Sequence, residues 1–532
     1  MGSKIPPVIA TTPLMLLLPL AAAPATGAAC ESLARLALTA TTIASAQPVA
    51  AGPMALPQGP PVDVPAFCKV TGSIKPSADS DIQLEVWLPA SGWNGRFATA
   101  GNGGFAGSLN VRPMARAVAL GYATAGTDTG HRGAGTDATW ALGHPEKVTD
   151  FGYRAIHEMT VAAKAIAAAF YGRPVAHAYF NGCSNGGRQA LMEAQRFPED
   201  YDGIIAGAPA NDFTHLLAQA VFNRQATESD PAAYIWPSVV PAIEAATLEQ
   251  CDAKDGVADG VVDDPTACVF RPAVLHCPSD VPGSPSCLSE PQIAAIEKLY
   301  AGPRGAVPVH PGLVAGGATG PGSWPLWVTG PEPGKSLIGT FGTQFFRNMV
   351  FEDPAWDFRS FQLERDTRVV DAKLARTLNA TDPDLTAFRK RGGKLVIWHG
   401  WSDPAISPLN AIRYYDSVRA KMGAGGTDSF VRLYMLPGVQ HCDGGPGPTG
   451  FNGANAMKRD AEHDVNLALE RWVEEGVAPS RIVAAKYKTS AEPASGVART
   501  RPLCPYPQVA RYKGTGSTDE AENFACASPQ KK

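Results

Sequence analysis

Short apolar segments alternate with longer amphipathic ones along much of the chain. Residues 82–88 alternate apolar and polar side chains, as expected of a strand with one buried face. Further strands are predicted at residues 96–100, 122–126, 174–180 and 203–207, and helices at 151–171 and from 187 onward. Strands that alternate with helices in this way favour an α/β fold with a mainly parallel sheet covered on both faces.

The alternation stops after residue 210 and returns near residue 385. Residues 211–384 are rich in glycine, proline and tryptophan, carry four cysteines, and show no regular periodicity. Beyond them, strands are predicted at 394–398 and 430–436, and helices at 409–422 and 461–475. We therefore predict one α/β core in two parts, residues 30–210 and 385–532, with a lid domain inserted at 211–384.

The N-terminus is typical of an export signal. Lys4 precedes an apolar run at 14–23 and small residues at 25–29. The run is too short for a membrane-spanning helix and contains proline, so we predict a cleaved signal peptide over residues 1–29.

Composition supports this interpretation. The ten cysteines form an even set without a Cys-x-x-Cys pair, which is typical of disulfides in a secreted or periplasmic protein. The net charge of −4 and the absence of basic blocks predict neither a nucleic-acid partner nor a membrane partner.

A candidate nucleophile lies in the segment NGCSNGG at residues 181–187. Ser184 is the serine of a Gly-x-Ser-x-Gly pattern, which occurs often by chance. Here it follows a predicted strand and opens a predicted helix, as the nucleophile turn of serine hydrolases requires. The backbone N–H of Asn185, at the start of that helix, is the expected first donor to an oxyanion.

The expected acid and base also follow predicted strands, in the chain order Ser, Asp, His. Asp403 ends the segment HGWSD, and His441 comes five residues after the 430–436 strand. Cys183 adjoins Ser184, and Cys442 adjoins His441. A serine and a histidine in hydrogen-bond contact bring their neighbours close enough for a disulfide, so the cysteines single out His441 as the base. Asp403, after the end of the preceding predicted strand, is its expected orienting acid.

The glycine-rich segment 101–104 admits two interpretations. With residues 105–106 it matches a dinucleotide-binding pattern, which an exported protein rarely needs. A glycine turn after an early strand is better explained as the source of a second oxyanion donor, either Gly103 or Gly104.

An acidic segment at residues 251–264 carries repeated aspartates and two glycines. It is either a solvated acidic loop or a calcium site, although its spacing is not that of an EF-hand. Like charges crowded in a loop closed by Cys251 and Cys268 favour a cation.

Taken together, these residues resemble the tannase and feruloyl esterase family, which includes hydrolases of mono(2-hydroxyethyl) terephthalate. The resemblance covers nearly the whole mature chain and depends on the family's Cys-Ser, Asp and His-Cys pattern, here Cys183-Ser184, Asp403 and His441-Cys442. It implies an α/β-hydrolase core with a lid, and hydrolysis of aromatic carboxylic esters through an acyl-serine.

The resemblance also implies specific partners for other residues. Its structural Ca²⁺ would be held by the side chains of Asp252, Asp255 and Asp259 and the carbonyls of Val257 and Val261. Its disulfides would be Cys30–Cys68, Cys183–Cys442, Cys251–Cys268, Cys277–Cys287 and Cys504–Cys526. His399 would be a substrate contact or a structural residue. The resemblance does not assign the lid surface, where a set of side chains would either form an aromatic, cationic pocket or belong to the core: Trp324, Trp327, Phe345, Phe346, Arg347 and Trp356.

The expected function is that of an exported serine esterase for small aromatic esters such as ferulates. Gallate esters and terephthalate monoesters are alternatives of the same chemistry. A serine carboxypeptidase shares the chain order of the triad, and a non-catalytic secreted binding protein would not need the triad.

Overall fold

The computed structural model describes residues 1–3, 27–57, 59–278, 285–305, 309–489 and 492–529. Most of the predicted signal peptide, residues 4–26, lies outside these ranges. The strands are β1 (Thr41–Val49), β2 (Gly52–Met54), β3 (Val62–Val64), β4 (Phe67–Ile74), β5 (Ile82–Pro89), β6 (Arg96–Ala100), β7 (Thr124–Thr127), β8 (His177–Cys183), β9 (Gly203–Gly207), β10 (Lys394–Gly400), β11 (Val431–Leu436), β12 (Ile482–Tyr487), β13 (Val497–Leu503), β14 (Val509–Tyr512) and β15 (Phe524–Ala527).

Helices connect most of these strands and fill the segment between β9 and β10. The α-helices are α1 (Val111–Ala119), α2 (Pro145–Thr149), α3 (Ala155–Tyr171), α4 (Asn185–Arg196), α5 (Phe213–Glu228), α6 (Val240–Cys251), α7 (Glu290–Ala301), α8 (Trp324–Trp327), α9 (Leu337–Phe345), α10 (Leu363–Val370), α11 (Arg376–Leu378), α12 (Thr386–Lys390), α13 (Pro408–Met422), α14 (Ala424–Asp428) and α15 (Val465–Glu475). Three π-helical turns continue α-helices, at Asp150–Arg154, Phe346–Val350 and Asp371–Ala375.

The predicted parallel sheet is confirmed. Its five strands lie in the order β11-β10-β9-β8-β6, and every neighbouring pair is parallel. All five residues of β9 are buried, as expected of an apolar strand covered on both faces. Helices α3, α4 and α13 cover one face of the sheet, while α15 and part of α1 cover the other.

The first and third predicted strands do not belong to this parallel sheet. β5 and β7 lie in a four-stranded antiparallel sheet of order β1-β4-β5-β7. The two sheets meet where the Ala98 N–H donates to the Ala123 carbonyl at 2.9 Å. The alternation in β5 is consistent with this, since an antiparallel sheet can leave one face near solvent.

The segment between β9 and β10 has its own buried interior. One apolar cluster contains Val240, Ile293 and Trp324 from α6, α7 and α8. A second contains side chains of α5 and α9 together with Phe105 and Phe151 of the core. The inserted segment is therefore packed against the core through shared aromatic side chains.

Five disulfides pair all ten cysteines, and they are the five pairs that the family resemblance implies. Their Cα–Cα distances are between 5.1 and 5.9 Å, within the usual range. In the part of the chain described, none of the helices combines the length and apolar character needed to cross a bilayer.

Candidate active site

Ser184 lies at a sharp turn between β8 and α4. Its φ of +64° is in the left-handed region, which is strained for a residue with a side chain. The turn requires glycine on either side of it. A Cβ on Gly182 would lie 2.3 Å from the Gly186 carbonyl oxygen, and one on Gly187 would lie 2.3 Å from the Gly207 carbonyl oxygen.

A continuous chain of hydrogen bonds joins Ser184, His441 and Asp403 as a triad. The Nε2 atom of His441 is 2.9 Å from the Ser184 Oγ, and its Nδ1 is 2.8 Å from the Asp403 Oδ2. Asp403 and His441 follow the carboxyl ends of β10 and β11, so parallel pairing brings both to the edge of the sheet where β8 delivers Ser184. In this arrangement the imidazole can take the serine proton while the carboxylate fixes its tautomer.

Asp403 is buried but well supplied with donors. Its Oδ1 accepts the backbone N–H groups of Ala405 at 2.8 Å and Ile406 at 2.9 Å. Burial alone would raise the pKa of Asp403, but the adjacent His441 and His399 outweigh burial and hold that pKa below its usual value. The carboxylate therefore stays ionised beside the base.

His399, for which the sequence left a substrate contact open, is fully buried behind the acid. Its Nε2 lies 3.1 Å from the Asp403 Oδ2 and 3.1 Å from the Ile406 carbonyl oxygen. Both neighbours are acceptors, so Nε2 carries the hydrogen. The side chain is thus a support for Asp403 and presents no surface to a substrate.

The disulfide Cys183–Cys442 joins the serine turn to the histidine loop across 259 residues of sequence. Its Cα–Cα distance is 5.9 Å, within the range of ordinary disulfides, and it adjoins the hydrogen bond between His441 and Ser184. Both cysteines also border a cavity of about 610 Å³ whose lining includes Asn181 and Phe451 but none of the triad side chains.

The glycine-rich turn after β6 lies against the start of α4. A Cβ on Gly101 would be only 2.5 Å from the Gly186 Cα, so the two segments are in close contact. Within the described residues, no acceptor is hydrogen-bonded to the backbone N–H of Gly103 or Gly104. The sequence-predicted oxyanion donors therefore lie in a loop that touches the helix carrying Ser184.

Most of the predicted lid pocket residues are placed in packed interiors. Phe346 is fully buried among Phe345, Trp356 and Phe361, and Trp324 is 3% exposed in the lid cluster. Arg347 donates its Nε–H to the Trp356 carbonyl. Apolar burial, rather than a substrate surface, accounts for the two aromatic rings.

Two aromatic residues come closer to the triad: Trp327, which belongs to the predicted set, and Phe341, which the sequence did not indicate. The Trp327 ring lies 4.8 Å from the His441 ring, at 75° to it. Phe341 stacks with Trp327 at 6.3 Å, and a Cβ on Gly104 would be 3.2 Å from its Cε1. Lid tryptophans are visible in the sequence, but the spacing does not indicate which of them faces the histidine.

The acidic loop places several carboxylates together. Asp252 accepts the backbone N–H groups of Asp259 and Gly260 at 3.1 and 2.9 Å. Asp263 is partly buried, and burial followed by the charges of Asp255 and Asp259 raises its pKa well above the usual value. One oxygen of Asp259 is paired with Arg499 at 2.8 Å and with Arg501, which the sequence did not indicate.

This loop fits a hard cation in its donor chemistry. Asp252, Asp255 and Asp259 offer carboxylate oxygens, and their crowding beside the partly buried Asp263 concentrates negative charge that a cation would offset. Among the described residues, no three histidine, cysteine or acidic side chains converge enough to hold a metal without other ligands. A site here needs main-chain carbonyls, such as those of the buried Val257 and Val261.

Comparison with known proteins places the chain among esterases. The family model described as tannase and feruloyl esterase matches residues 68–527. An uncharacterized esterase of Xanthomonas campestris is 43% identical over 530 residues, covering 94% of this chain and 91% of that protein. A probable feruloyl esterase B-2 of Aspergillus terreus is 34% identical over 467 residues, covering 86% of each.

Solved structures agree with the sequence comparison. Feruloyl esterase B from Aspergillus oryzae superimposes with a TM-score of 0.85 at 30% identity, covering 94% of this chain and 99% of that one. Tannin acyl hydrolase from Aspergillus niger, at 23% identity, shares the fold with a TM-score of 0.71, covering 92% of each chain. The protein therefore belongs to the tannase and feruloyl esterase family, with an α/β-hydrolase-type core, and is a carboxylic ester hydrolase.

Proposed function

We propose that this protein is a secreted serine esterase that hydrolyses small aromatic carboxylic esters of the feruloyl type. The main support for the proposal is the hydrogen-bonded triad of Ser184, His441 and Asp403 at the edge of the parallel sheet. Family membership establishes ester hydrolysis, and the triad offers a nucleophile, a base and an orienting acid for that reaction.

In the acylation step, the Ser184 Oγ attacks the ester carbonyl carbon while its proton passes to the Nε2 of His441. Asp403 stabilises the imidazolium that forms, since its carboxylate is ionised and hydrogen-bonded to Nδ1. The oxyanion accepts hydrogen bonds from the Asn185 N–H and from the N–H of Gly103 or Gly104. The carbon–oxygen bond to the alcohol then breaks, and the alcohol leaves with the proton from His441.

In the deacylation step, water attacks the acyl-serine and gives its proton to His441. The second tetrahedral intermediate uses the same oxyanion donors. It collapses by breaking the bond to Ser184, which recovers its proton from His441, and the aromatic acid is released. Deacylation is thus the reverse of acylation, with water in place of the alcohol and Ser184 as the leaving group.

An aromatic acid is the acyl group that the lid side of the site best accommodates. Trp327 and Phe341 are partly buried rings between the histidine and the glycine loop. Such faces favour stacking with a flat ring. Feruloyl esters fit this environment, and gallate esters and terephthalate monoesters are the alternatives of the same reaction.

Two further properties belong to the proposal. The signal-like N-terminus and five disulfides support export to an oxidising compartment. The loop around Asp252, Asp255 and Asp259, with the carbonyls of Val257 and Val261, would hold a structural Ca²⁺. When bound, the ion would neutralise the crowded carboxylates and rigidify the loop closed by Cys251 and Cys268.

The test is a panel of methyl ferulate, methyl gallate and mono(2-hydroxyethyl) terephthalate with the purified mature protein. We expect methyl ferulate to give the highest kcat/KM, and Ser184→Ala to lower kcat by about 10⁴-fold or more. Ser417→Ala, which removes a serine hydroxyl on α13 that bonds only within its helix, is the matched control. Cleavage of C-terminal peptide bonds without ester turnover would indicate a carboxypeptidase, and no hydrolysis at all would indicate a binding protein.

A further inference from the structure

Arg188 lies one helical turn beyond Ser184 and is fully buried, with no carboxylate among its hydrogen-bond partners. Burial lowers its pKa to about 9, so the guanidinium is still charged at neutral pH. An unpaired buried charge is costly, and proteins keep such groups where they are fully hydrogen-bonded or where they serve a site. Arg188 is well supplied with hydrogen-bond acceptors, and its position next to the nucleophile turn also favours a role in the site.

The structure supplies neutral acceptors for this guanidinium from a π-helical turn. Nη2 donates to the Phe151 carbonyl at 3.0 Å, and Nη1 donates to the Gly152 carbonyl at 2.7 Å. The Phe151 carbonyl is free for this because the Ala155 N–H bonds one residue further back, to Asp150. The rings of Phe151 and Phe213 flank the guanidinium, at 4.7 and 5.1 Å.

The Nε–H of Arg188 points back to the oxyanion side of the site, while Nη1 also donates to the Leu378 carbonyl at 3.3 Å. Its Nε donates to the Asn185 Oδ1 at 2.8 Å, and the Asn185 Nδ2 donates to the Asn102 carbonyl at 3.3 Å. That carbonyl belongs to the same trans peptide as the Gly103 N–H, and in a trans peptide the two groups point in opposite directions. Holding the carbonyl toward the Asn185 side chain therefore fixes the direction of the Gly103 N–H, which points away from that side chain.

A second side chain of α4 fixes the other end of Asn102. The Asn102 N–H donates to the Gln189 Oε1 at 2.9 Å, and the Asn102 Nδ2 donates to the Thr127 carbonyl at 2.9 Å. Gly103 itself is exposed, and a Cβ there would meet nothing within 4 Å. The loop thus has a rigid base at Asn102 and unpartnered N–H groups at its tip.

We propose that Arg188 is a positioning residue of the oxyanion hole, which orients the Asn102–Gly103 peptide through Asn185 and adds a buried positive charge that favours the oxyanion. This inference rests on the proposed serine-esterase function. Arg188 does not touch the reacting atoms; it acts through the Asn185 side chain and through its field in a low-dielectric interior.

The test compares ligands that do and do not carry a tetrahedral centre. We expect Arg188→Gln to lower kcat for methyl ferulate by about 30-fold or more, with KM changed less than about threefold, because oxyanion contacts strengthen in the transition state. Affinity for an arylboronic acid, which forms a tetrahedral adduct on the serine, should fall in parallel with kcat/KM. Affinity for ferulate, the product, should not change. Arg188→Lys, which keeps the charge, should recover part of the boronate affinity.

Asn185→Ala addresses the case in which Arg188→Gln does not fold, because it removes only the link and leaves the arginine's contacts with the π-helical turn. It should reduce boronate affinity in the same selective way. Arg154→Gln is the matched control: Arg154 also belongs to that turn but is paired with Asp150 and Glu146. It should lower the melting temperature and leave kcat within about twofold.

The outcome can separate this inference from the proposed function. The rate of Ser184 labelling by a fluorophosphonate reports the nucleophile and the oxyanion hole without ester turnover. If the wild type is neither labelled nor active on esters, the serine mechanism is wrong. If the wild type is active while folded Arg188→Gln and Asn185→Ala keep wild-type kcat and boronate affinity, Arg188 is only structural and the inference fails.

Discussion

The Nε2 of His399 lies 3.1 Å from the Oδ2 of Asp403, the same carboxylate oxygen that accepts the hydrogen bond of His441. Two imidazoles therefore share one acceptor oxygen in a site where all three side chains are largely buried. The second imidazole adds a donor that keeps the acid ionised and fixes its plane. His399 lies in β10 itself, so the strand that delivers the acid also carries its support.

Replacing His399 should weaken catalysis without abolishing it. We expect His399→Ala to lower kcat about 10-fold at unchanged KM, since Ala405 and Ile406 still hold the other oxygen of Asp403. Asp403→Asn should cost about 10⁴-fold, because it favours the wrong tautomer of the base. Steady-state kinetics with methyl ferulate measure both, with the surface variant His144→Ala as control. A His399→Ala enzyme with wild-type kcat would show that the support is dispensable.

Removing the bridge between Cys183 and Cys442 should separate activity from folding. In Cys183→Ala with Cys442→Ala, we expect activity to fall at least 10-fold at temperatures where far-ultraviolet circular dichroism is still native, because the serine turn and histidine loop lose their covalent link. Loss of a native disulfide also costs stability, typically about 2–5 kcal/mol. The control is Cys504→Ala with Cys526→Ala, which opens a distant bridge and should lower stability alone. Equal specific activity in wild type and the first variant would make the bridge incidental.

A histidine within the inserted segment should make stability depend on pH. His215 lies 3.1 Å from Asp212 and 2.9 Å from Asp371. Burial opposes its charge, but hydrogen bonds to the two carboxylates outweigh burial and raise its pKa to about 10. Because the pKa of His215 is higher in the folded protein than in the unfolded chain, its protonation stabilises the folded state. This stabilisation is complete below the unfolded-state pKa of about 6.5 and is lost as the pH rises toward 10.

We therefore expect His215→Gln to be less stable than wild type by about 2 kcal/mol at pH 6, with the difference shrinking between about pH 7 and pH 10. Urea unfolding of both proteins at pH 6, 8 and 10 measures it. A difference that is constant over this range would mean that His215 contributes by packing and not by charge.

Removal of calcium should lower the stability of the fold and leave the catalytic rate nearly unchanged. If the acidic loop holds the ion, elemental analysis should find about one calcium per chain, and a chelator should lower the melting temperature by several degrees with kcat at 25 °C nearly unchanged. Asp255→Asn should bind less calcium and respond less to the chelator. Wild-type protein that contains no calcium and keeps its melting temperature in chelator would contradict the proposal.

Much of the architecture could be predicted from local patterns. The strand before Ser184 and the helix after it follow from apolar runs and glycines, and the chain order of Ser184, Asp403 and His441 follows from residues placed just after strands. Even a long-range pairing was accessible, because Cys183 and Cys442 adjoin the two catalytic candidates. These signals are short in range or chemically rare, so one sequence suffices to recognise them.

Other features depended on contacts that no local pattern encodes. The direction of β5 and β7, the placement of Trp327 against His441, and the burial of Phe346 in the lid are decided by which distant surfaces pack together. The same holds for Arg188, whose four acceptors come from three separate segments. The sequence by itself determined the chemistry at the sheet edge, whereas only tertiary packing decided which side chains orient it, because burial and hydrogen-bond partners are set by residues far apart in the chain.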